Sequence, residues 1–170
     1  MKKLIFIFII LISSMAKAEF FTNISDLIEN NNDRLSYGVS VTDFDKDGSY
    51  EFVVAGFGYS NLALGYKNGK LVNTIQDSLF IDKDRNTIGV SACDVDQDGF
   101  EEIYFLNTDT YSGEKKYSDR LLDNDNKILD YFELEKNLEN LNLTAGRSVV
   151  CVDRNGSVSY THLRAHETLL

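Results

Sequence analysis

The amino-acid sequence predicts an all-β fold made of β-propeller blades, and three observations carry that reading. A nine-residue pattern, D-x-D-x-D-G-x-x-E, occurs at Asp43–Glu51 and again at Asp94–Glu102, 51 residues later. Both copies lie between short apolar, β-branched runs with a shared lead-in, Gly38-Val39-Ser40 and Gly89-Val90-Ser91. Four such runs, parted by turn signals, fit within about 50 residues, which is the layout of one four-stranded blade.

The first strand is expected at Val39–Val41, ahead of the acidic loop, and the second at Phe52–Ala55, behind it. Gly56-Phe57-Gly58 turns the chain towards a third at Leu62–Tyr66. Lys67-Asn68-Gly69 contains the Asn-Gly pair favoured in tight hairpins and leads to a fourth at Leu71–Thr74. The second unit repeats this plan through Glu102–Leu106 and then carries a polar insertion, Asn107–Asp119. Tyr131–Leu143 has apolar residues near helical spacing and reads as a short helix within a loop. A third unit opens at Ala145-Gly146-Arg147-Ser148-Val149-Val150-Cys151-Val152-Asp153. The repeats thus fall near 36–75, 87–132 and 145–157, about two and a half blades.

Both ends of the chain are expected to lie outside this fold. Lys2 and Lys3, the apolar run Leu4–Ile12 and Ala16-Lys17-Ala18 have the order of a cleavable signal peptide, with cleavage after Ala18. The apolar run is shorter than the roughly 20 residues a membrane span needs. The expected product is exported from a bacterium, secreted or periplasmic, with no later membrane span. Val158–Leu170 looks like the conceptual translation of a sequencing-library adaptor and is set aside, so the chain is read as a fragment. The only histidines, His162 and His166, fall in that tail. The remainder therefore lacks the imidazole needed for a Ser-His-Asp triad or a histidine-ligated zinc site.

Charge narrows the partners. Without Lys2, Lys3, Lys17, Arg164 and Glu167, the segment Glu19–Ser157 keeps 13 basic and 26 acidic residues, a net charge of −13. Such a surface repels nucleic-acid phosphates and anionic membranes and suits divalent cations.

The loops explain where much of that charge goes. Alternate carboxylates around a glycine turn wrap oxygens around a hard cation, and Ca²⁺ takes six to eight of them at roughly 2.3–2.6 Å. In the first loop the expected ligands are Asp43, Asp45, Asp47, the backbone carbonyl of Ser49, and Glu51. In the second they are Asp94, Asp96, Asp98, the carbonyl of Phe100, and Glu102. In the third unit one inserted residue places Asp153, Asn155 and Ser157 at the first three positions, a partial site. An EF-hand is excluded because its twelfth position needs glutamate, and here that position holds Val54 or Phe105 between strand-like flanks. A glycosidase needs two acids in distinct environments on either side of a sugar, whereas these acids converge on one point. Catalysis is not expected. Asn23-Ile24-Ser25 and Asn142-Leu143-Thr144 match the glycosylation sequon by chance.

Cys93 and Cys151 precede the second and third acidic loops at comparable places in adjacent repeats. A disulfide between them and a pair of buried free thiols both remain open at this point.

The loops with their following runs, such as Phe52-Val53-Val54-Ala55-Gly56-Phe57-Gly58, resemble FG-GAP or VCBS-type repeats. Tyr37–Asp43, Gly89–Asp94, Glu101–Asn107 and Ala145–Arg154 are similar to the cartilage acidic protein family and its bacterial relatives. The resemblance covers Ser36–Ser157. It implies an integrin-α-like, seven-bladed propeller, extracellular calcium binding at the acidic positions of the first two loops, and often a following ASPIC/UnbV-type domain. The expected role is an extracellular binding or adhesion module for a protein or glycan. The runner-up is the non-catalytic propeller portion of a larger secreted enzyme acting on polysaccharide.

Overall fold

The strands form because their residues alternate. In β1 (Val39–Thr42) and β2 (Glu51–Val54), Thr42, Glu51 and Val53 point inward, while Val39, Val41 and Phe52 point out. Such alternation is what a sheet with one covered face requires. A computed structural model describes residues 21–152 and the backbone of residues 162–165.

β3 (Leu62–Lys67) and β4 (Lys70–Asn73) complete a four-stranded antiparallel sheet in the order β1-β2-β3-β4. Asn68 and Gly69 close the β3–β4 hairpin with φ of 52° and 82°, the left-handed pair a two-residue turn demands. The second sheet repeats the plan with β5 (Thr87–Cys93), β6 (Glu102–Asn107), β7 (Arg120–Asp125) and β8 (Lys127–Asp130), ordered β5-β6-β7-β8. Every residue of β6 is buried, since this strand is covered on both faces. β9 (Val149–Val152) opens a third sheet and pairs antiparallel with β10 (His162–Ala165). The tail expected to stand outside the fold therefore contributes backbone to a sheet, whatever its origin. The predicted signal peptide and the third-loop residues Asp153, Asn155 and Ser157 lie outside the described residues.

β5 lies between β1 and β9, so the leading strands of the three units stand in series. The repeated glycine makes this approach possible. A Cβ on Gly38 would lie 3.0 Å from Val90 N and 3.1 Å from Gly89 Cα. One on Gly146 would lie 2.8 Å from Leu106 Cδ1. The repeated serine contributes too, as Ser40 Oγ accepts from Ala92 N at 3.1 Å.

The core between the sheets joins Phe44, Val53, Ala63, Phe80, Val90, Ile103, Phe105 and Leu122. Phe80 stands 5.7 Å from the Phe44 ring and meets Phe105 edge-on at 5.4 Å. It is carried by a one-turn helix, α1 (Ser78–Ile81), which the sequence reading did not anticipate. Asp77 starts that turn by accepting from Leu79 N at 2.8 Å. Asp77→Ala is expected to cost about 1 kcal/mol, read from urea denaturation, because a capping acceptor is lost.

Tyr131–Leu143 departs from the expected helix. It forms 3-10 turns at Tyr131–Glu133 and Glu135–Asn140. Leu134 between them is extended, at φ −67° and ψ 135°, and breaks the helical path. The polar insertion is also less solvated than its composition suggests. Lys115 and Asp119 are buried as an ion pair, with Tyr104 Oη donating to Asp119 Oδ2 at 2.6 Å. Nearby, Arg120 pairs with Asp130 at 2.7 Å and with Asp82 at 3.2 Å.

Candidate metal centre

Each acidic loop joins the first two strands of its sheet, β1 to β2 and β5 to β6, so strands flank both. The turn is held by aspartate side chains accepting from backbone N–H groups. In the first loop Asp43 accepts from Asp47 N at 3.0 Å and Gly48 N at 2.9 Å, and Asp45 from Asp47 N at 3.2 Å. In the second, Asp94 accepts from Gln97 N at 2.7 Å and Gly99 N at 3.2 Å, and Asp96 from Asp98 N at 3.2 Å. Gly48 and Gly99 adopt φ of 87° and 93°, which only glycine takes at little cost. Lys46 and Gln97, two residues earlier, also turn left-handed at 58° and 68°, a feature the motif did not reveal.

This geometry brings Asp43, Asp45 and Glu51 together, with one carboxylate oxygen from each lying within 4.8 Å of the others. Asp94, Asp96 and Glu102 converge in the same way. Asp47 and Asp98 stand outside these groups. Their Oδ1 atoms accept from Ser49 N and Phe100 N, each at 2.8 Å. Their other oxygens face Lys67 at 3.9 Å and Lys46 at 3.8 Å. Among the described residues, none of the hydrogen bonds that hold the turns uses the Ser49 or Phe100 carbonyl. Lys46 also lies 4.3 Å from the centre of the Phe100 ring, linking the first loop to the second.

The glutamates make the chemistry specific. Glu51 and Glu102 are 1% exposed, and each accepts one backbone N–H, from Phe44 at 3.2 Å and from Val95 at 2.7 Å. Among the described residues no lysine or arginine pairs with either. Burial pushes Glu51 up to about 7, helped by the charges of Asp45, Asp47 and Asp43. Burial likewise pushes Glu102 up to about 7, with Asp96, Asp123 and Asp98 adding to the rise. A buried acid among other acids lacks a countercharge, and a divalent cation supplies one. The donors are hard oxygens. Calcium holds such oxygens at roughly 2.3–2.6 Å, and carboxylate oxygens gathered this closely can reach one ion. The residues present fit that ion.

Cys93 and Cys151 form a disulfide with Cα atoms 6.1 Å apart, so the free-thiol alternative does not hold. The bridge ends directly before the second loop.

Two antiparallel four-stranded sheets, each with an acidic loop between its first two strands, define a β-sheet repeat protein. Residues 43–105, which span both loops, match the model of the FG-GAP-like repeat. The chain is similar to cartilage acidic protein 1. It is 44% identical to that of Xenopus tropicalis over 158 residues, covering 83% of this chain and 24% of the relative. To that of Homo sapiens it is 45% identical over 145 residues, covering 78% and 22%. The chain thus spans about a quarter of the length of these relatives. Among the described residues no helix is long and apolar enough to cross a membrane.

Proposed function

We propose that this chain is an exported, calcium-stabilised portion of a β-propeller that serves as an extracellular binding or adhesion module. The single observation behind it is the convergence, twice, of two aspartates on a buried glutamate that has no cationic partner among the described residues. The serial placement of β1, β5 and β9 supports the propeller reading, since adjacent blades pack through their sheets around an axis. The match to the FG-GAP-like repeat and the similarity to cartilage acidic protein 1 support the reading of an extracellular repeat module. Calcium removes the repulsion within each loop, so part of its binding energy becomes folding energy. The partner is a protein or glycan presented outside the cell.

Thermal melting in calcium and in chelator tests the metal. At a calcium concentration 100 times the dissociation constant each site adds about 2.7 kcal/mol, a rise of several degrees in Tm. Magnesium is expected to give less, because it demands tighter octahedral geometry. An unchanged Tm in millimolar calcium would sink the metal reading.

A further inference from the structure

The two loops share a motif but not a setting. β2 pairs Phe52 with Leu64 on β3, so one step along that register Glu51 faces Gly65. β6 pairs Ile103 with Leu122 on β7, so Glu102 faces Asp123. Gly65 in turn lies opposite Val72 on β4, and Asp123 opposite Leu129 on β8, which makes Thr74 and Tyr131 equivalent positions.

In the first unit this space is closed. A Cβ on Gly65 would stand 2.7 Å from Thr74 Cγ2 and 3.4 Å from Glu51 Oε1. In the second unit an acid and a phenol fill it, with Tyr131 Oη 3.0 Å from Asp96 Oδ2 and 3.1 Å from Asp123 Oδ2. A phenol has one proton and an ionised carboxylate only accepts, so Tyr131 satisfies one of these acids at a time. The lysines do not offset the difference, because each loop has one: Lys67 at Asp47 and Lys46 at Asp98.

We propose that Asp123 and Tyr131 make the Asp94–Glu102 loop the first and tighter of two unequal divalent-cation sites. This rests on the calcium reading above. Asp123 adds a negative charge beside the second site that Gly65 cannot add beside the first. Tyr131 holds Asp96, a carboxylate of the converging group, so that less freedom is lost when the ion arrives. Tyr131 is a positioning residue that acts through Asp96, and Asp123 acts through its charge.

Calcium titration followed by ¹H–¹⁵N NMR tests the proposal, with the Gly48 and Gly99 amides as one reporter per loop. Gly99 is expected to reach its midpoint at a calcium concentration at least threefold below that of Gly48. Asp123→Asn, of unchanged shape, raises the Gly99 midpoint about three- to tenfold and leaves Gly48 in place. Tyr131→Phe raises it less, and Asp123→Glu, which keeps the charge, restores most of the loss. Equal midpoints in the wild type, or a Gly99 midpoint unmoved by Asp123→Asn, overturn the proposal while leaving calcium binding intact. If neither glycine responds to millimolar calcium, the calcium reading fails as well.

Discussion

Replacing Cys93 and Cys151 together by alanine is expected to lower the stability of the fold by about 4 kcal/mol relative to the oxidised chain. The two residues are 58 apart in sequence, and the chain-entropy relation assigns a loop of that length about 4 kcal/mol at 25 °C. Their surroundings argue for the full effect. Cys93 ends β5 and is completely buried, whereas β9 leaves Val150 and Val152 about half exposed. With so much of its apolar surface outside the core, β9 depends on the bridge for its hold on β5. The packing of Leu106 against Gly146 is the competing anchor. Urea denaturation of the oxidised wild type against the double variant measures the difference. A loss below about 1 kcal/mol would show that packing alone holds the third unit. Changing both residues matters, since a single change leaves a free thiol able to pair with a second molecule.

The reason so much of this fold could be read is that its repeat is written at two levels at once. D-x-D-x-D-G-x-x-E marks the loop, and the runs on either side mark the strands. β1 to β4 accordingly fall within a residue or two of Val39–Val41, Phe52–Ala55, Leu62–Tyr66 and Leu71–Thr74. What was not legible depends on contacts between units. Phe44 occupies a variable position of the motif, yet it is 1% exposed and anchors the core against Phe80. α1 is a single turn, too short to leave a helical period, and it forms because Phe80 fills the gap between two sheets. Asn107–Asp119 is polar in composition, but Lys115 and Asp119 neutralise each other inside the fold, and only their spatial pairing reveals it. At the site, the motif gave four carboxylates per loop equal standing. The structure gathers Asp43, Asp45 and Glu51, and Asp94, Asp96 and Glu102, while Asp47 and Asp98 accept from Ser49 and Phe100 N–H and face a lysine. Asp123 and Tyr131 lie outside the motif altogether and reach the second loop only through strand register.

Raising the pH from 5 to 8 without calcium is expected to destabilise the protein, and calcium is expected to reverse the trend. Glu51 and Glu102 are each held at about 7 in the fold against an ordinary value of 4.5. The fold therefore favours their neutral forms, and the unfolded chain binds fewer protons than the native one between those values. Stability is unaffected below pH 4.5, falls as pH rises from 4.5 to 7, and stays at its lower level above 7. Each glutamate contributes about 2 to 3 kcal/mol to the fall, the lower figure allowing for water in the open loops. Asp82 and Asp130 are also raised by burial and act in the same direction, but they sit beside Arg120, away from the loops. Their share is insensitive to calcium. In saturating calcium the loop carboxylates must ionise to bind, so protons compete with the metal and the calcium-induced rise in Tm grows from pH 5 to pH 8. Glu51→Gln with Glu102→Gln separates the two shares: the pair removes the calcium-sensitive slope and leaves that of Asp82 and Asp130. A metal-free Tm that is flat from pH 5 to 8 would show that these glutamates ionise freely. The countercharge argument for a cation at each loop would then lose its basis.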